Sequence, residues 1–240
     1  MSTYSTTILS DLPVAYWRMG ETSGSSAVDA SGNGRAGTYA GVALGMPGAI
    51  GGDSDTSSLF GASGASVAAA VLPLMSNWTA EAWVFPTAAQ TATPYIVCDR
   101  FSASGINFGL VINLSAGTCA ASALYYNGSI INTAQVELSL NAWTHLAGTY
   151  DGSNLKLYIN GTLSQTLAST TAPASGGLAT DIGIRKSPGD TFLGLIDEVA
   201  IYSTALSSTR ILAHYTAAFA PTGGAAAQPL GSQLIQRRAQ

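Results

Sequence analysis

The sequence predicts an antiparallel all-β fold, and three observations carry that reading. Across residues 142–163, AWTHLAGTYDGSNLKLYINGTL, Trp143, His145 and Ala147 alternate with Thr144, Leu146 and Gly148, the two-residue period of a strand with unlike faces. Asp151-Gly152-Ser153-Asn154 supplies turn chemistry, after which Leu155, Leu157 and Ile159 point one way and Lys156 and Tyr158 the other. Asn160-Gly161 then gives the strongest short hairpin signal, because both central residues of that turn need positive φ.

The other elements follow in chain order. Residues 5–11 predict a short helical turn before Pro13, and residues 14–19 a strand. Residues 20–48 are rich in glycine and read as loops. Residues 58–69 alternate weakly and predict one or two strands around Gly61 and Gly64. Residues 79–85 predict a strand with Ala80, Ala82 and Val84 on one face and Glu81, Trp83 and Phe85 on the other. Strands at 95–100, 107–113 and 119–126 form a meander, with a hairpin around Asn127-Gly128. Residues 164–177 read as strand then loop, and residues 178–184 and 193–202 are strands. Ser207 is a good N-cap for a helix over 208–217, whose apolar face is Ile211, Leu212 and Tyr215.

Several of these stretches resemble one family. The 142–163 hairpin is similar to the signature of laminin G-like, concanavalin A-like jelly-roll domains. VAYWRMGETSG (14–24) resembles the opening strand, DASGNGRAG (29–37) the loop after it, NWTAEAWVFP (77–86) an intermediate strand, and FLGLIDEVAIYSTALSSTRI (192–211) the last strand and its helix. The resemblance implies a two-sheet antiparallel jelly-roll sandwich over residues 1–220, with a short C-terminal helix near its end and Trp17, Trp83, Leu157 and Ile201 in or beside the core. Residues 221–240 form an extended C-terminal tail.

Composition narrows the function. The chain has 240 residues, enough for one large sandwich, and 47% are apolar. Charged residues are 9%, against a usual share of about 25%. The net charge of −4 and the lack of a basic block before the last few residues exclude nucleic-acid binding, which needs clustered Lys and Arg. No apolar run approaches the ~20 residues of a membrane span, so no membrane insertion is expected. The first residues lack the basic start and apolar stretch of a signal peptide, so synthesis in the cytoplasm is expected. That fits a protein released by lysis, such as a virion component. Cys98 and Cys119 fall on strands separated by a third, two steps of ~4.8 Å apart, and are expected as buried thiols rather than a disulfide.

The wider concanavalin A-like group includes glycosidases, which in the retaining branch need two carboxylates about 5 Å apart. The Glu-x-Asp-x-x-Glu pattern is absent. Acidic residues are scattered at Glu21, Glu81, Glu137 and Asp197-Glu198, and neighbours on a strand are expected to face opposite sides. No Gly-x-Ser-x-Gly elbow or His–Cys zinc spacing occurs, and His145 and His214 are expected as packed or hydrogen-bonded side chains. The chain is expected not to be an enzyme.

Two sites remain. The resemblance implies a structural calcium ion, Ca2+, near the loop after the first strand and the acid of the last one, at Glu21, Asp29, Asn33 and Asp197. The alternative is that Asp29 and Asn33 only close side-chain turns, with Asp197 bonding backbone groups. A glycan site would use Tyr125, Tyr126 and Asn127 at the hairpin tip with Asp99 and Arg100. The alternative there is that the tyrosines pack on the sheet and Asp99–Arg100 is a surface pair. Asn-x-Ser/Thr sequons at Asn77, Asn113, Asn127 and Asn160 are background without a secretory signal. The tail is too poor in apolar side chains to fold alone. Leu230, Leu234 and Ile235 are expected to anchor it on a neighbouring subunit, with Arg237 and Arg238 pairing with acids there. The reading is a non-enzymatic virion structural protein, a phage decoration or tail component, with other virion subunits and possible cell-surface glycans as partners. The alternatives are a carbohydrate-binding adhesion module and a glycoside hydrolase.

Overall fold

A computed structural model describes residues 2–61, 64–88, 90, 93–100, 106–115, 118–173, 178–185 and 190–220. Two antiparallel sheets face each other, of eight and nine strands, and Ile184–Arg185 pairs with Asp190–Thr191 in a small third sheet. The centre of the eight-stranded sheet is Trp78–Pro86, flanked by Thr144–Tyr150 on one side and Gly194–Tyr202 on the other. Asn154–Ile159 and Thr162–Ala168 extend it from Thr144–Tyr150, and Thr56–Phe60 and Ala43–Pro47 from Gly194–Tyr202. The nine-stranded sheet runs through the expected meander of Thr118–Tyr126, Ile106–Ser115 and Tyr95–Arg100, then Ala179–Ile182, Ser66–Ala69 and Gly37–Ala40. Its outermost strands have two and three residues. On the other sheet one edge strand carries Pro47 and a bulge and the other a bulge at Leu157/Tyr158, features that discourage edge-to-edge pairing.

The alternation fixes which side chains enter the core. Ala80, Ala82 and Val84 face inward with Leu155, Leu157, Phe108, Leu110, Trp17 and Ile201. Glu81, Trp83 and Phe85 take the other face. Trp83 therefore flanks the core, in a second cluster beneath the helices with Tyr4, Ile8, Tyr16 and Tyr202. Gly183 shows how tightly the interior closes. Its φ is +77°, and a Cβ there would lie 2.2 Å from the Phe60 ring.

The helical content is small. The expected helix Ser208–Ala217 forms with Ser207 as its N-cap, the Ser207 hydroxyl accepting from Arg210 N–H. The helical turn expected at 5–11 is a two-turn helix, Thr3–Ser10, capped by Ser2. Both helices lie on the outer face of the eight-stranded sheet and touch each other. Cys98 and Cys119 are free and buried, on opposite faces of the nine-stranded sheet. Among the described residues no helix is long and apolar enough to cross a membrane.

Candidate functional site

Strand alternation divides the residues expected to hold a glycan. On Tyr95–Arg100, Val97 faces inward and Cys98 outward, so Asp99 turns inward and Arg100 outward. On Thr118–Tyr126, Tyr125 turns inward and Tyr126 outward in the same way. Asp99, Phe108 and Tyr125 form one cross-strand row. Tyr125 is buried with its ring 4.7 Å from that of Tyr150, and its hydroxyl bonds Ser169. It packs inside the sandwich and cannot act as an exposed platform. Asp99 is also fully buried, accepting from Asn107 Nδ2 at 2.9 Å, and burial pushes its carboxyl up to about 6. These two residues leave the expected set, because each lies on the inward parity of its strand.

Arg100 and Tyr126 stay on the outer face. Arg100 forms an ion pair with Asp181 of the neighbouring strand, Nε to Oδ2 2.5 Å. Arg100 lies opposite Ile106, and half-buried Tyr126 packs on the cluster of Ile106, Tyr95, Val111 and Leu124. Asn127 follows at the exposed hairpin tip, its side-chain amide donating to Thr171 Oγ1. The result is a fixed guanidinium–carboxylate pair beside an apolar cluster edged by Tyr126. Asp181 was missed in the sequence because its partner strand is set only by the fold.

The four residues expected to hold calcium do not form one donor set. Among the described residues no three His, Cys, Asp or Glu side chains converge as a metal site. Asp29 accepts from the backbone N–H groups of Tyr16, Ser31 and Arg35 and from the Ser31 hydroxyl. Burial would raise its carboxyl, and these bonds outweigh that and hold it below the usual range. Asn33 Nδ2 donates to the carbonyls of Pro13 and Val14. Glu21 accepts from Val28 N–H and the Tyr39 hydroxyl, and Asp197 from Ala49 N–H at 2.8 Å. Positive charge reaches this region from Arg18, which pairs with Asp53, Asp55 and Glu198 at 2.7, 2.7 and 3.0 Å. The residues do not fit a calcium ion shared by Glu21, Asp29, Asn33 and Asp197.

A bulge corrects the expectation for Asp197 and Glu198. Asp197 lies opposite Trp83 and Ala200 opposite Glu81, so one extra residue is inserted between them. Glu198 takes φ +52°, and both carboxyls then share the outer side of the eight-stranded sheet. Neither is accessible. Glu198 is fully buried against the Tyr16 hydroxyl and Arg18, and burial raises it to about 7.

His145 and His214 are hydrogen-bonded as expected, but the buried ionic chain they form under the C-terminal helix was not foreseen. Glu81 meets His145 Nε2 at 3.0 Å and His214 Nδ1 at 2.9 Å, and His214 Nε2 meets Asp11 at 2.7 Å. Tyr202 also donates to Glu81. Burial would raise Glu81, but the two imidazoles hold it well below the usual carboxylate range. Burial would lower His214, but Glu81 and Asp11 hold it above its ordinary value. The one signal was position, since His214 lies three residues after Ile211 on the buried stripe of the helix. This chain ties helix to sheet, and its Glu81, His145 and His214 members are fully buried.

Residues 60–212 match the family described as the concanavalin A-like lectin/glucanases superfamily. The chain belongs to this superfamily. No curated protein matches it. Among solved structures it is similar to the receptor binding domain of botulinum neurotoxin D, with 17% identity and a TM-score of 0.66 over 87% of this chain and 53% of that one. It is similar to Trypanosoma rangeli sialidase in complex with sialic acid, at 15% identity and a TM-score of 0.62, over 84% of this chain and 32% of that one. A pentraxin from Limulus polyphemus gives 18% identity and a TM-score of 0.50, over 60% of this chain and 71% of that one. The chain thus spans about half of the neurotoxin domain and a third of the sialidase. At these identities the likeness is one of fold, which enzymes and binding domains share.

Proposed function

We propose that this domain is a non-enzymatic carbohydrate-binding module of the adhesion type. The observation that carries the reading is the Arg100–Asp181 pair beside Tyr126 on the outer face of the nine-stranded sheet. The Arg100 guanidinium, held by the fully buried Asp181 carboxylate, offers donors to sugar hydroxyls, and the half-buried Tyr126 ring accepts the apolar face of a sugar. Membership of a lectin superfamily and the likeness to a receptor binding domain support it. The acidic side chains argue against hydrolysis, because Glu81, Asp197 and Glu198 are buried and tied to partners within the fold. Binding of the purified chain to a glycan array tests the reading. Arg100→Ala and Tyr126→Ala should each weaken the best glycan at least about tenfold, a loss of ~1.4 kcal/mol. Retention of full binding in both variants, or hydrolysis of the glycan, refutes it.

A second reading rests on the composition of residues 221–240, which hold only Leu230, Leu234 and Ile235 as large aliphatic side chains. Such a segment suits attachment of the module to a virion subunit, with Arg237 and Arg238 meeting acidic groups. Deleting 221–240 should then leave glycan binding intact and abolish incorporation into particles. Full incorporation of the truncated chain rules this out.

A further inference from the structure

The basic side chains of the described residues are closed by carboxylates, with one exception. Arg18, Arg100, Lys156, Arg185 and Arg210 each meet an Asp or Glu. Arg35 does not. Its Nε donates to the Val14 carbonyl at 3.1 Å and its Nη1 to the Val71 carbonyl at 3.2 Å. Asp29 is close by, but it takes the Arg35 backbone N–H at 2.8 Å and is spent on the loop. Two carbonyls thus hold the guanidinium in place and leave its positive charge without a counter-ion.

This guanidinium lines a surface cavity of about 320 Å3. Its lining is mixed: Leu9, Leu12, Pro13 and Pro73 supply apolar wall, and Ser31, Asn33 and Arg35 supply polar wall. Asn33 Nδ2 is committed to the Pro13 and Val14 carbonyls, which fixes the amide plane and leaves Oδ1 as an acceptor. Leu12 is costly where it stands. It follows the cap of the first helix with φ +54°, a position that favours Gly or Asn, and it is 83% exposed. Left-handed backbone at such a residue costs about 1–2 kcal/mol. Strain of this kind, beside a cation without a carboxylate partner at a surface cavity, points to a ligand.

We propose that this cavity binds a carboxylated sugar. Its carboxylate pairs with the Arg35 guanidinium, whose planar fork matches two carboxylate oxygens. Asn33 Oδ1 accepts from a ring hydroxyl, and Leu12, Pro13 and Pro73 cover the apolar face of the ring. The Asp29 hydrogen bonds organise the loop before the ligand arrives, which lowers the ordering cost of binding. The site shares no residue with the Arg100 face and stands whether or not that face binds glycan.

The test is calorimetry on the full chain with glucuronate and N-acetylneuraminate, each against its methyl ester. At least one acid should bind, its ester should bind at least tenfold more weakly, and the affinity should fall as salt is raised. Arg35→Gln should abolish binding, Arg35→Lys should restore part of it, and Arg100→Ala should leave it unchanged. Equal binding of acid and ester by the unaltered protein overturns the proposal without any variant. So does the failure of both acids to bind, or full binding by an Arg35→Gln protein with an unaltered melting curve.

Discussion

Glu81 shows how one side chain can decide what an element does. Its carboxylate accepts from two histidines and a tyrosine that come from a strand, a helix and a second strand. Removing the carboxylate from such a buried set leaves the polar groups around it without that partner, which costs about 3–5 kcal/mol. Glu81→Ala should therefore lower unfolding free energy by about that amount in urea titration, where a surface carboxylate such as Glu137 would cost almost nothing. Unchanged stability would mean that the imidazoles find other partners. At this scale the sequence was only partly legible. The inward and outward sets on Trp78–Pro86 could be read because the two faces differ in character. The glycan set at 99–100 and 125–127 could not, because a run of neighbours in sequence falls on both faces of a sheet.

The elements themselves were legible where turn chemistry or alternation marked them. The hairpin at Asn160-Gly161 forms as expected, with Asn160 at φ +50° and Gly161 at +76°. The bulge after Asp197 was hidden, because Asp-Glu-Val holds no glycine or proline to signal an irregularity. Ala43–Pro47 was missed for the opposite reason: the glycine-rich stretch around it suggested only loop. Gly183 tests how closely the inner layer is packed. Gly183→Ala must accommodate both a positive φ and a Cβ 2.2 Å from Phe60, at a cost of about 3 kcal/mol. Thermal melts would check this, and a loss below ~1 kcal/mol would show that the Phe60 ring moves aside.

For the whole molecule, three groups act in one direction near neutral pH. Asp99 and Glu198 are raised to about 6 and about 7 by burial, and His214 is raised by its two carboxylates. Each favours the protonated form in the folded state. Their contributions are full below the ordinary values and are lost as pH rises through the raised ones. Glu81 is shifted the other way, so its contribution is lost only in strong acid. The melting temperature should therefore fall between about pH 5 and pH 8, and His214→Gln combined with Asp99→Asn should flatten that slope. A melting temperature that rises with pH would contradict the assignment of these groups.

The proposed binding surface is the outer face of the nine-stranded sheet. Backbone-amide NMR with the best array glycan locates it. Perturbed resonances are expected along Tyr95–Arg100, Thr118–Tyr126 and Ala179–Ile182, concentrated at Arg100, Tyr126 and Asp181. Perturbations confined to the helix-covered face, or none at saturating glycan, would contradict it.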